Sequence, residues 1–443
     1  MPEKNEIILF SGFTSGRMEY TVRFISARIG VDMEIVPAGQ LTNDAKNSVP
    51  ACLHFGSKPV EGDFSIFDSG LLHETGIKSQ EIAVARNNHL TMLFPAPQGF
   101  DLPFDIFSAV FYLLSRYEEY LPFIPDGLGR FEADQSLAHR HGFLEEPVID
   151  QWIELLKSEL LHRYPGLAFP ARKFHFISTL DIDNPWAYLH KGMLRTLGGM
   201  LKTMIMENPG EIGRRIKVLR RKLHDPYDNY LYIKNVEKQY RFNSIFFFLS
   251  GSYGGYDTNY ALNTGYFKEL VRGLARDKVI GIHPSYKSNF NPELLETEFD
   301  HFSEILGHKP HVSRQHFLMV KFPETYRSLI SRGIRGDYSM GYASKPGFRA
   351  GTTIPYRFYD LTNEQETDLI IFPFAVMDVT LRQYMRLTPE KALEAIRRIA
   401  GKVRKVNGTF ISLWHNESLS DSGVWKDWRR VFEGMVQEAA RDE

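Results

Sequence analysis

Cysteine is almost missing. Cys52 is the only one in 443 residues, so no intrachain disulfide framework staples the fold, and a reducing compartment fits. An excess of either charge is missing too. The 53 Lys and Arg nearly cancel the 54 Asp and Glu, which leaves no global field to attract nucleic acid. No stretch reaches the roughly 18 uncharged residues of a membrane-spanning helix. The longest candidate, Leu102 to Leu114, is short and contains Asp105. Met1 to Phe10 sets Glu3, Lys4 and Glu6 around a brief apolar run and lacks the layered order of a signal peptide. A cytoplasmic location is the expectation. The chain has no internal repeat and no low-complexity segment.

What is present is globular composition, 43% hydrophobic and 24% charged, in a chain too long for one ordinary core. Two domains are expected. Residues 1–168 mix short apolar runs with Gly and Pro turns and then become helical. Phe104 to Tyr120 reads as a buried helix with a charged end. Val148 to Tyr164 follows, with Ile149, Trp152, Leu155, Leu156 and Leu160 at helical spacing until Pro165-Gly166 stops it. This half has no catalytic spacing and reads as a smaller α/β domain.

Residues 169–443 have another rhythm. Apolar runs recur at Phe174 to Leu180, Ser244 to Leu249, Val279 to Ile282, His311 to Phe317, Gly336 to Tyr342, Leu369 to Val376 and Thr409 to Trp414. Helical patterns lie between several of them. One is Phe267 to Arg276; another begins with Thr388 as N-cap and Pro389 at the first helical position. Strands alternating with helices imply a parallel sheet, and seven over this length suit a (β/α) barrel better than an open sheet. In such a barrel the chemistry sits where strands end.

Those ends carry Asp181 and Asp183, His283, Arg314 with His316, and His415. Asp181 and Asp183 are two apart, hence on one face of a strand, and two carboxylates so close repel unless a cation lies between them or one is protonated. One then binds a metal while the other takes protons; Asp-Asn-Pro is equally good turn chemistry. His283 follows a strand and precedes Pro284, as a metal-binding imidazole does, although a lone histidine is more often structural. His415, beside Trp414, suits protonation of an amine leaving group. Arg314 suits a bidentate grip on a carboxylate, against the bland reading of a surface ion pair.

These residues resemble, over about residues 172–443, the polysaccharide deacetylase superfamily (NodB-homology, carbohydrate esterase family 4). The resemblance implies a distorted seven-stranded (β/α) barrel. It also implies divalent-metal-dependent removal of acetyl groups from N-acetylated carbohydrate. Phe104 to Glu119 resembles an uncharacterised domain found in front of such deacetylases. By similarity Asp181 is the general base, Asp183 a metal ligand, His415 (in Leu413-Trp414-His415) the catalytic acid, and Arg314 the residue that orients the base. The family's His-x-x-x-His motif is here His283-Pro-Ser-Tyr-Lys287, with lysine in place of the second ligand. Its Arg-x-Pro-aromatic motif is Arg314-Gln315-His316-Phe317, with histidine in place of proline. The paired loss and gain imply that His316 supplies the third ligand. Lys287, Trp414 and Arg349 are assigned to the substrate side. Zinc is the expected metal, with cobalt, nickel, iron and manganese also compatible. Lys287 keeps open a second class of reading, an inactive carbohydrate-binding relative. A non-sugar amide is an equally open substrate. Finally, Glu211 to His224 carries Arg214, Arg215, Lys217, Arg220, Arg221 and Lys222; a solvated helix face is expected there ahead of peripheral membrane contact. Gly251 to Gly255 reads as a loop bordering the groove.

Overall fold

A computed structural model describes residues 6–37, 51–87, 90–192, 209–257, 262 and 264–440. The opening five residues, read above for a leader, lie outside them. Among the described residues no helix is long and apolar enough to cross a membrane.

The N-terminal half holds a small parallel sheet. Strands β1 (Glu6–Ser11), β2 (Asp32–Pro37), β3 (Ala51–Gly56) and β4 (Phe64–Phe67) lie in the order β2-β1-β3-β4. A hairpin, β5 (Val84–Asn87) with β6 (Leu90–Leu93), follows. Helix α1 (Gly16–Ile29) starts at Ser15, whose side chain accepts from the Met18 N–H, and ends at Gly30, whose φ of 72° suits a residue without Cβ. Helix α2 (Ile106–Leu114) is buried all round and capped by Asp105. It is shorter than the expected Phe104–Tyr120 because Arg116 takes a left-handed φ of 54° and turns the chain. Helix α3 (Val148–Arg163) matches the periodic reading.

The C-terminal part is built on one large sheet. Its strands are β7 (His175–Ile182), β8 (Ser244–Leu249), β9 (Val279–His283), β10 (Val312–Ser313), β11 (Gly336–Asp337), β12 (Tyr356–Asp360), β13 (Gln365–Ile371), β14 (Val376–Met377) and β15 (Thr409–His415). They run β12-β13-β11-β10-β9-β8-β7-β15-β14, all neighbours parallel except the antiparallel hairpin of β12 with β13. That hairpin was not legible in the apolar runs. The fold is thus a mixed α/β one.

Two features of the sheet matter for the site. First, β13 and β14 stand near opposite ends of the strand order yet belong to one stretch of chain. Within it Phe372 donates to Asp337 O (2.8 Å) and Phe374 to Met340 O (3.1 Å), on the β11 side. Ala375 donates to Ile411 O (2.9 Å), on the β15 side. Second, strand alternation splits the apolar residues between the faces. Phe247, Tyr338, Phe374, Met377, Ile411 and Leu413 form one buried cluster. Phe246, Phe248, Phe410 and Trp414 belong to the much larger core that the helices share.

That larger core runs without interruption into the N-terminal half. Buried ion pairs cross the same boundary. The Arg349 guanidinium pairs with Glu119, which also accepts from Arg116 Nε at 2.8 Å, while Arg17 pairs with Glu364 at 2.6 Å. Burial opposes the Glu119 charge, but Arg349 and Arg116 prevail and hold its carboxyl below the usual range. Breaking such a pair from one side leaves the buried Glu119 carboxylate with Arg116 as its remaining cation. Replacing Arg349 with methionine should therefore cost about 3–5 kcal/mol of stability in urea unfolding. A loss below about 1 kcal/mol would mean that water already reaches Glu119.

A candidate metal centre

Parallel pairing in fixed register brings the strand ends to one edge. Asp181 lies opposite His415 on one side and Phe247 on the other, and Leu249 lies opposite His283. The side chains of Asp181, Asp183, His283, His316 and His415 line one cavity of about 440 Å³. The expected convergence of four distant segments is present.

Asp183 is its centre. Its two oxygens face three imidazoles: His283 Nε2 at 3.4 Å from Oδ1, His316 Nε2 at 3.7 Å from Oδ2, and His415 Nε2 at 4.0 Å from Oδ2. Burial raises the cost of its charge, yet His316, His283 and His415 outweigh that and hold the carboxyl well below its usual range. Asp183, His283 and His316 each offer a ligand atom, all within 4.8 Å of one another.

Each histidine is aimed from behind. His283 Nδ1 meets Arg314 O at 2.5 Å, and His316 Nδ1 meets Asp257 Oδ1 at 2.8 Å. His415 Nδ1 meets Asp378 Oδ1 at 2.8 Å, while the other oxygen of Asp378 accepts the His415 backbone N–H. In every case the ring nitrogen turned toward Asp183 is Nε2. Burial disfavours the imidazolium of His316, but Asp183 and Asp257 raise its pKa to about 9. Burial acts likewise on His415, and Asp378, then Asp183 and Asp181, raise it to about 10.

Asp181 sits beside this group, almost fully buried, with His283 Nε2 3.8 Å from one oxygen and Arg314 Nη1 3.7 Å from the other. Arg314 is wholly buried, between the rings of Phe247 (5.0 Å) and Phe374 (5.4 Å), and it donates to Thr179 Oγ1 at 2.7 Å. A surface ion pair is excluded for it. Burial pulls its pKa down against the pull of Asp181. Several polar atoms here are buried without any hydrogen-bond partner, among them Asp181 Oδ1, Asp183 Oδ1 and Arg314 Nη1. Orphaned carboxylate oxygens converging with imidazole nitrogens are the donor set that a divalent cation satisfies.

Three expected substrate residues fall elsewhere. Trp414 alternates with Leu413 and His415 along β15, so it points to the helices, where it packs on Trp428 and Phe432 and donates to Met435 Sδ. Arg349 is consumed by Glu119 and by Gly341 O. Lys287 is exposed, and a Cβ built on Gly254 would meet its Nζ at 3.2 Å. It fills neither the ion position nor the cavity wall.

Residues missed from the sequence complete the site. Asp378 directly follows β14; reading the strand end one run further on would have found it. Asp257 closes the glycine-rich loop after β8, whose tyrosine Tyr256 lines the cavity. Arg130 and Tyr384 also line it, the first from the N-terminal half.

Comparison with known proteins adds the following. Residues 7–165 match a family of unknown function (DUF7033). No curated protein matches the chain. Among solved structures the chain is similar to a putative polysaccharide deacetylase from Mycobacterium smegmatis, at 14% identity, 62% of this chain, 87% of that one and a TM-score of 0.41. It is similar to a probable polysaccharide deacetylase from Pseudomonas aeruginosa PAO1, at 12% identity, 62% and 90% coverage and a TM-score of 0.37. A Puue allantoinase matches at 12% identity, 62% and 89% coverage and a TM-score of 0.36.

Removing the charge behind His415 should lower its pKa. In metal-free protein, Asp378→Asn is expected to drop the His415 titration by roughly one to three pH units by NMR. An unchanged titration would remove Asp378 from its role.

Proposed function

We propose that the chain is a divalent-metal-dependent hydrolase that removes the acetyl group from an N-acetylated sugar. The observation that carries this reading is the convergence of Asp183, His283 and His316 beside the Asp181–Arg314 pair and the Asp378-anchored His415. The seven-stranded barrel belongs to the same reading. It is supported by the continuous Gln365–Met377 stretch, which hydrogen-bonds toward β11 at its start and toward β15 at its end.

Asp183, His283 and His316 would hold the cation. When bound it supplies Lewis-acid chemistry, lowering the pKa of water and polarising an amide carbonyl. Asp181 takes a proton from the attacking water, with Arg314 Nη1 3.7 Å from its Oδ1. His415, raised to about 10 with Asp378 behind it, is protonated at neutral pH and gives its proton to the departing sugar nitrogen. Asp181 and His415 are register partners on adjacent strands, so base and acid stand side by side next to Asp183. The N-acetylated sugar comes from the family resemblance; the sequence barely separates it from another amide.

The inactive-relative reading rested on Lys287 repelling a cation; against it, the Lys287 ammonium lies over Gly254, and His316 Nε2 faces Asp183 at 3.7 Å.

Three outcomes test the proposal. His316→Ala should purify with its metal content largely lost by elemental analysis; unchanged occupancy would reject His316 as a ligand. Asp181→Asn and His415→Ala should keep the metal yet release acetate from N-acetyl sugars roughly 10²–10⁴-fold more slowly. Near-normal turnover in both would end the assignment of Asp181 as base and His415 as acid, and no acetate release by the unaltered protein would end the hydrolase reading. Lastly, a cation must displace the proton that Asp183 and Asp257 hold on His316, whose pKa is about 9. Zinc affinity of metal-free protein should therefore climb as pH rises from 6 toward 9 and level off above it. A flat profile in competition titrations would contradict the ligand set.

A further inference from the structure

The N-terminal half reaches the cavity through one guanidinium. Arg130 is 7% exposed and lies within the residues that match the family of unknown function. It is presented by a tight turn in which Asp126 accepts both backbone and guanidinium N–H groups, while Glu132 Oε1 lies 3.4 Å from Nη2. Asp126 Oδ1 takes the backbone N–H groups of Leu128 and Arg130, at 2.9 and 2.8 Å, and Oδ2 takes Arg130 Nε and Nη2, at 2.9 and 2.7 Å. The guanidinium is therefore pre-set before it meets the C-terminal part. Nη2 lies 3.3 Å from the Tyr384 hydroxyl, and Nη1 donates to the carbonyl oxygen of Phe317 at 2.9 Å.

Phe317 is the residue after His316. It and Leu318 both have left-handed φ, 57° and 58°, which residues with a Cβ hold only where their surroundings keep them there. The turn directly follows His316, whose ring lies against Asp183, with the Phe317 ring 4.1 Å from the imidazole. Asp257 grips the far side of the His316 ring, and Arg130 holds the backbone carbonyl that follows it.

We propose that Arg130 is a positioning residue for the cation site, so that the N-terminal half completes the site by pinning the His316–Phe317 turn. The C-terminal part alone does not complete it. This rests on the metal-binding reading above, and it gives the preceding domain a physical role. That half supplies a fixed donor aimed at the backbone of a third ligand that the sequence has moved from position 287 to 316.

The test uses the full chain, loaded with cobalt(II). Arg130→Gln, which keeps polarity but cannot span from Asp126 to Phe317, is expected to bind cobalt roughly tenfold more weakly by chelator competition. Its visible cobalt absorption should also change, since the imidazole ligand is no longer held at one angle. Arg130→Lys should fall between the two and decides the matter if the glutamine protein does not fold. Asp183→Asn serves as the control for the underlying reading. If Asp183→Asn loses cobalt while the Arg130 variants keep native affinity and spectrum, the positioning role is wrong and the metal site stands. If Asp183→Asn binds cobalt like the unaltered protein, the metal reading fails and this inference with it.

Discussion

The structure is organised around the cost of burying one carboxylate. Asp183 is tucked behind a sheet edge, where a lone negative charge would be pushed toward neutrality. The fold keeps it ionised by turning the Nε2 edges of His283, His316 and His415 toward it. That arrangement propagates outward. Each imidazole needs its opposite nitrogen occupied, and Arg314 O, Asp257 and Asp378 do so from three different loops. The next layer is fixed in turn: Asp257 also accepts the Tyr286 N–H, and Asp378 the His415 N–H. A single charge thus dictates the conformation of several strand-to-loop junctions.

Much of this was legible in the sequence, for a reason that lies in strand geometry. A parallel sheet places all its C-terminal ends on one edge, so reading the polar residue after each apolar run recovers the cluster without knowing the strand order. Asp181, Asp183, His283, Arg314, His316 and His415 were all found that way. The failures follow from the same geometry. Trp414 neighbours His415 in sequence but alternates to the opposite face, so adjacency misled. Arg349 is assigned above to the substrate side, and its charge belongs to Glu119, a partner 230 positions away that no local pattern announces. Strand β10 was expected to run to Phe317 and stops at Ser313, because left-handed backbone at Phe317 and Leu318 cannot be inferred from residue types that normally avoid it.

Separate sheets fall on either side of Pro165 to Pro170. What the sequence concealed is how little else is separate. Buried Arg17, Arg116 and Asp150 of the first half find their partners among Glu364, Arg349 O and the Thr352–Thr353 segment of the second. These groups also pair within the first half, Arg116 with Glu118 and Glu119 and Asp150 with Arg28, so the contacts across the boundary extend buried networks already present.

The stretch from Gln365 to Met377 carries a further implication. One short run of chain supplies hydrogen bonds to β11 at its start and to β15 at its end, with Asp378 immediately beyond. Inserting or deleting a single amino acid inside it would displace one flank by a pleat and send the carboxylate that holds His415 to the wrong side of the backbone. Length variation among descendants of this sequence should accordingly be confined to the outer loops, with this span inherited as a block of constant size.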